Sequence, residues 1–114
     1  MNDCIFCRII KREIPSNIVY EDDDVIAIKD IHPQTPVHVL VMPKRHIPDI
    51  ISFTQADAAI QSAVNSAIIK TAKISGILNE GFRVINNCGE SAGQSVLHVH
   101  FHLLGGKDLG EKII

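Results

Sequence analysis

The chain has 114 residues, 46% of them hydrophobic, with 11 Lys and Arg against 13 Asp and Glu, for a formal net charge of −2. That length suits one compact domain covering residues 1–114. A nearly neutral chain without a basic run lacks the footprint needed to bind a nucleic-acid polymer. The N-terminus shows no positive stretch leading into an apolar one, and no apolar run nears the roughly 20 residues that span a bilayer. A soluble, cytoplasmic chain with no membrane partner is expected. A domain this small leaves much apolar surface uncovered, so a dimer is also expected.

In chain order, residues 4–11 predict a short helix, because Ile5, Phe6, Ile9 and Ile10 recur on one side, with Pro15 as its stop. Residues 17–21 and 25–30 predict two strands joined by the acidic turn Asp22-Asp23-Asp24. Pro33 and Pro36 interrupt the chain before a third strand, residues 38–42, which stops at Pro43. Thr54 with Asp57 three residues on resembles a capping box, ahead of an apolar stripe of Ile60, Val64, Ala67, Ile68 and Ala72. Gly76 or Asn79 ends that long helix. Residues 82–86 and 96–104 predict two further strands, linked by a polar loop at 87–95. The expectation is an α+β fold, with a five-stranded, mostly antiparallel sheet, one long helix on a face and a short N-terminal helix.

The last strand carries the chemistry. Side chains alternate along a strand, so Leu97, Val99, Phe101 and Leu103 share one apolar face and His98, His100 and His102 share the other. Three imidazoles in register are a poor accident for a merely solvated face. A metal cage is one reading, but at about 3.3 Å per residue His98 and His102 stand roughly 13 Å apart at the backbone, too far for all three to meet one ion. Covalent catalysis is another. Neutral imidazole is a good nucleophile near neutral pH and a good leaving group from phosphorus, and its neighbours can manage tautomer and protons. The preceding loop offers donors for an oxyanion in Asn87, Gly89, Gly93, Gln94 and Ser95.

Cys4 and Cys7 have the two-residue gap that suits two thiolates on one zinc. No second local pair follows, and a small apolar cysteine pair beside a helix is the alternative. Cys88 stands alone and reads as inert. His32 reads as solvent-exposed, and Lys44 and Arg45 as solvated charges.

The run Gly93-Gln94-Ser95-Val96-Leu97-His98-Val99-His100-Phe101-His102-Leu103-Leu104-Gly105-Gly106 resembles the signature of the histidine triad (HIT) superfamily, in its HINT-like branch. The likeness continues upstream through Asp30-Ile31, Pro33-Gln34, Pro36, His38 and Pro43-Lys44-Arg45-His46. The resemblance implies a homodimer that joins its two sheets. It also implies hydrolysis or transfer on purine nucleoside 5′-phosphoramidates and acyl-adenylates, through a nucleotidyl-histidine intermediate. By position it implies His100 as nucleophile, with His98, His102 and His38 orienting it and moving protons. Ser95 and Asn87 would contact the phosphate beside Gly93 and Gln94, and Asp30 and Ile31 would line the nucleoside pocket. It also implies a structural zinc on Cys4, Cys7, His46 and His98, which conflicts with a proton-transfer role for His98. No organic cofactor is implied. Gly105-Gly106 stands where dinucleoside polyphosphate hydrolases typically carry Pro-Arg. The short tail at 107–114 lacks the tryptophan of many HINT tails, which leaves the leaving group open. Dinucleoside polyphosphate hydrolysis and a nucleotide-binding module with incidental activity are the alternatives.

Overall fold

The computed structural model describes residues 4–114. Its elements run α1 (Ile5–Ile10), β1 (Ile18–Glu21), β2 (Val25–Lys29), β3 (Val37–Pro43), α2 (Ile50–Thr54), α3 (Ala58–Ile74), β4 (Phe82–Ile85) and β5 (Phe101–Gly105), with a 3₁₀ turn at Glu90–Ala92. The strands form one sheet in the order β1-β2-β3-β5-β4, and every neighbouring pair is antiparallel. The α+β class, the five strands and the single long helix match the sequence reading.

Alternation sorts the sheet into two faces. Val25, Ala27, Val39, Val41 and Leu103 join the core under α3, which contributes Ile60, Val64, Ala67, Ile68 and Ala72. Between them on the strands, Ile26, Ile28, Leu40 and Met42 face the other way and pack against Phe6 and Ile9 of α1. Burial on this scale is the main stabilising term. The hairpin between β1 and β2 is held by Asp22, whose carboxylate accepts N–H bonds from Asp24 and Val25, both at 2.8 Å. No helix among the described residues is long and apolar enough to cross a membrane.

Three expectations change. The capping box is one: Thr54 closes α2 and donates its hydroxyl to the Ile51 carbonyl at 2.8 Å. Asp57 is itself the cap of α3, accepting from the Ile60 N–H at 2.9 Å. The helix then ends at Ile74, with Gly76 at φ +78, the left-handed conformation that glycine adopts without strain. The second change is in how α1 ends: the helix lies within the expected residues 4–11, but the chain leaves it through Arg12 at φ 65, ahead of Pro15.

The third matters for the site. β5 begins at Phe101, and residues 96–100 are irregular. The Val99 N–H reaches across to the Ile47 carbonyl at 2.6 Å instead of continuing a strand ladder. Val99 still enters the core, but Leu97 is 66% exposed rather than under the helix. The histidine face is not solvated either: α1 covers it, leaving His98 0% and His100 8% exposed.

Candidate active site and metal centre

Antiparallel register places Leu104 opposite His38 and His102 opposite Leu40, so His38 and His102 come together diagonally on one face. Their rings meet with His38 Nε2 at 2.9 Å from His102 Nδ1. His38 Nδ1 accepts the Gln34 N–H at 3.0 Å. A neutral His38 therefore carries its proton on Nε2 and donates to His102 Nδ1, with Asp30 Oδ2 flanking the same nitrogen at 3.4 Å. His102 is left with its proton on Nε2. Burial, reinforced by His100 and His38, lowers the His102 pKa to about 4 against a raising effect of Asp30. Burial also lowers the His38 pKa, opposed by Asp30. Both rings are neutral at physiological pH.

His100 is fixed through its backbone and one nitrogen. Its Nδ1 donates to the His98 carbonyl at 2.8 Å, which leaves the lone pair on Nε2. The Asn86 side-chain amide donates to the His100 carbonyl at 3.0 Å, tying the end of β4 to the start of β5. The His100 ring lies between those of Phe6, 5.0 Å away, and His102, 5.3 Å away.

His98 is occupied at both nitrogens. Nε2 donates to the Pro43 carbonyl at 2.8 Å, so Nδ1 carries the lone pair and faces Cys4 Sγ at 3.4 Å and Cys7 Sγ at 3.6 Å. His46 Nδ1 lies 3.2 Å from Cys7 Sγ. The four ligand atoms of Cys4, Cys7, His46 and His98 lie within 4.8 Å of one another. A tetrahedral zinc with Zn–S of about 2.3 Å and Zn–N of about 2.0–2.1 Å has S···N edges of roughly 3.6 Å. The three sulfur–nitrogen separations are close to that, so the residues fit the ion. Its second nitrogen on a carbonyl gives His98 the orientation metal-bound histidines usually have. Burial lowers the His98 pKa to about 4, which suits a neutral ligand. Burial, followed by the neighbouring Cys4, raises the Cys7 thiol to about 11, so a thiolate there calls for a cation. Among the described residues Asp30, His38 and His102 form the other converging group, and His100 belongs to neither.

A cleft of ≈ 710 Å³ opens between α1 and the sheet. Ile5, Phe6 and Ile9 of α1 form one wall, and Ile28, Leu40, Asp30 and Ile31 face them. Phe6 is common to the cleft and to the packing around His100. Ile31 is 85% exposed at its rim. The loop before the histidines is braced by buried Gln94, whose Oε1 accepts from Gly89 at 3.0 Å while Nε2 donates to Pro48 at 2.7 Å and Val96 at 3.1 Å. Its side chain thus holds the loop rather than reaching for a ligand. Gly93 turns at φ 93, and Ser95 is exposed.

Residues 11–109 match the HIT domain family. The chain belongs to the HIT family. Over 111 residues it is 45% identical to the purine nucleoside phosphoramidase of Escherichia coli, covering 95% of this chain and 91% of that protein. An uncharacterised HIT-like protein of Synechococcus elongatus is 45% identical over 107 residues, 94% of this chain and 93% of the relative. Among solved structures, a HIT family hydrolase from Clostridium thermocellum superposes with a TM-score of 0.95 at 52% identity, covering 100% of this chain and 99% of that one. A histidine triad protein from Clostridium difficile gives 0.92 at 47% identity, covering 99% and 98%.

Several site residues of this HIT chain carry no sequence signal that strand alternation would expose. Phe6 reads as one apolar residue of a short helix, Gln34 acts through its backbone N–H, and Asn86 reads as the last residue of a strand. His32 is exposed, as expected. Lys44 and Arg45 are not simply solvated: they pair with Glu21 at 2.8 Å and Asp57 at 2.9 Å.

Proposed function

We propose that this HIT-family hydrolase cleaves purine nucleoside 5′-phosphoramidates, and acyl-adenylates, in two displacements at phosphorus through a nucleotidyl-His100 intermediate. The observation that carries this reading is the His100 Nδ1 bond to the His98 carbonyl, which makes Nε2 the atom with a free lone pair. In the first step Nε2 attacks the phosphorus, and the P–N bond to the leaving amine breaks as the amine takes a proton from solvent; with an acyl-adenylate the P–O bond breaks and a carboxylate leaves. In the second, water attacks the same phosphorus and gives a proton back to solvent, the P–Nε2 bond breaks, and nucleoside monophosphate leaves with His100 restored. The His102 Nε2–H would donate to a phosphoryl oxygen, a role supported by the tautomer that the His38 contact favours. Ser95, Asn87 and the Gly93 backbone supply further donors from the loop, which Gln94 braces. The E. coli relative is a purine nucleoside phosphoramidase, and the apolar cleft has the size and lining of a small-molecule site, with room for a purine nucleoside. Asp30 at its edge suits ribose hydroxyls.

Cys4, Cys7, His46 and His98 would hold a zinc ion. Four protein ligands leave no open position, so the ion would supply structure rather than Lewis-acid chemistry. With both His98 nitrogens engaged, proton transfer falls to His102 and His38. A homodimer is the reading for assembly, supported by β4, an unpaired sheet edge on which Val84 stays exposed.

His100→Gly tests the assignment. Turnover of adenosine 5′-phosphoramidate should fall by several orders of magnitude, as when a nucleophile is removed elsewhere, while adenosine 5′-monophosphate still binds. Turnover within tenfold of the parent refutes His100 as nucleophile.

A further inference from the structure

Cys4 and Cys7 stand on either side of Phe6 at the start of α1. The Phe6 ring packs edge-on against His98 at 5.9 Å and His100 at 5.0 Å. Ile5, Phe6 and Ile9 form a wall of the cleft. One helix of 6 residues, with Cys4 as its N-cap, thus carries both thiols of the metal centre, a ring against the nucleophile and a side of the ligand site. A helix so short has no stability of its own. It is held by the small apolar cluster of Phe6 and Ile9 on the sheet, by the Arg12–Glu21 ion pair beyond its end and by the thiol–imidazole contacts. The other two ligands reach α1 from the segment after β3 and from the residue two before the nucleophile.

Resting on the zinc and nucleotide assignments above, we propose that zinc and nucleotide bind with positive coupling transmitted by α1. Zinc on Cys4, Cys7, His46 and His98 locks the cleft wall where a nucleoside needs it, and a bound nucleoside in turn tightens zinc. Without the ion, thiol contacts of 3.2–3.6 Å are the polar ties that remain between α1 and the histidines. The fraction of molecules with a competent cleft then falls, and apparent nucleotide affinity falls with it. Linkage requires the same factor in both directions, so the two affinities can be checked against each other. A zinc that only stabilises the fold, with α1 equally placed in either state, gives no such factor.

The test is chelator competition for zinc on the full chain, with and without saturating adenosine 5′-monophosphate, and with adenosine as the control that carries no zinc-binding phosphate. Nucleotide affinity is measured on zinc-loaded and zinc-stripped protein. Coupling predicts that adenosine or its monophosphate tightens zinc by a factor on the order of 5–150, matched by the loss of nucleotide affinity on stripping. Phe6→Leu keeps all four ligands and should lose most of the factor, read as the ratio of its zinc affinities with and without saturating nucleotide. Zinc and nucleotide both binding with a factor within twofold of one overturns the coupling and leaves the assignments standing. Full coupling in Phe6→Leu overturns the route through α1. Failure of zinc to bind the reduced protein, or of nucleotide to bind the loaded protein, overturns the corresponding assignment and the coupling with it.

Discussion

The histidines of this chain differ in what their nitrogens already hold. His98 has a carbonyl on one side and two thiols on the other, His38 has a backbone N–H and His102, and His100 has a carbonyl on Nδ1 alone. Strand alternation brings the triad into view as a group, and shows nothing of this division. The partners are the Pro43 carbonyl for His98 and the Gln34 N–H for His38, supplied by other segments, and the His98 carbonyl for His100. The buried His38–His102 pair has a pH signature. His102 titrates at about 4 when folded against 6.5 ordinarily, so between those values the unfolded chain binds more protons. Its contribution to stability is therefore complete above about pH 6.5 and is lost as the pH falls toward about 4. An NMR titration of the His102 ring should give a midpoint near 4; a midpoint near 6.5 contradicts a buried neutral ring.

At the scale of elements, β2, β3 and α3 are legible because their signals are local: alternation along strands and a stripe at helical spacing. α2 is not, since its 5 residues are too few to show a period. The start of β5 is hidden for another reason, because Val99 bonds to Ile47 and His98 to Pro43, contacts across the chain that pull the backbone out of the sheet. The glycine pair after the triad has a packing cause as well as a family one. A Cβ on Gly105 would stand 2.9 Å from Ile77 Cδ1 and 3.2 Å from Ile77 Cβ, and Gly106 sits at φ +90. Gly105→Ala should destabilise the fold by about 1–3 kcal/mol through overpacking, read as a lower urea midpoint with unchanged slope. An unchanged midpoint means that Ile77 has room the structure does not give it.

For the whole molecule, the cysteine pair shows its spacing in sequence, but its histidine partners lie 39 and 91 positions from Cys7. Only the resemblance to HIT proteins points to them, and folding brings them together. An ion joining α1 to two other segments stabilises the native state by mass action. Stripping zinc, or Cys7→Ser, should lower the melting temperature by several degrees, since about 1 kcal/mol corresponds to ~4–8 °C in small domains. An identical melting temperature with and without zinc counts against an ion at this centre. The candidate site depends on the same assembly: His100, the His38–His102 pair and the cleft draw on β2, β3, β5, α1 and the segment just before β5.

The most direct measurement is mass spectrometry of protein quenched in acid-free conditions within milliseconds of mixing with adenosine 5′-phosphoramidate. A nucleotidyl-His100 intermediate predicts an adenylyl adduct on the peptide containing His100, formed and consumed at rates that support turnover and absent from His100→Gly. Turnover with no adduct, or an adduct on His98 or His102 instead, contradicts it.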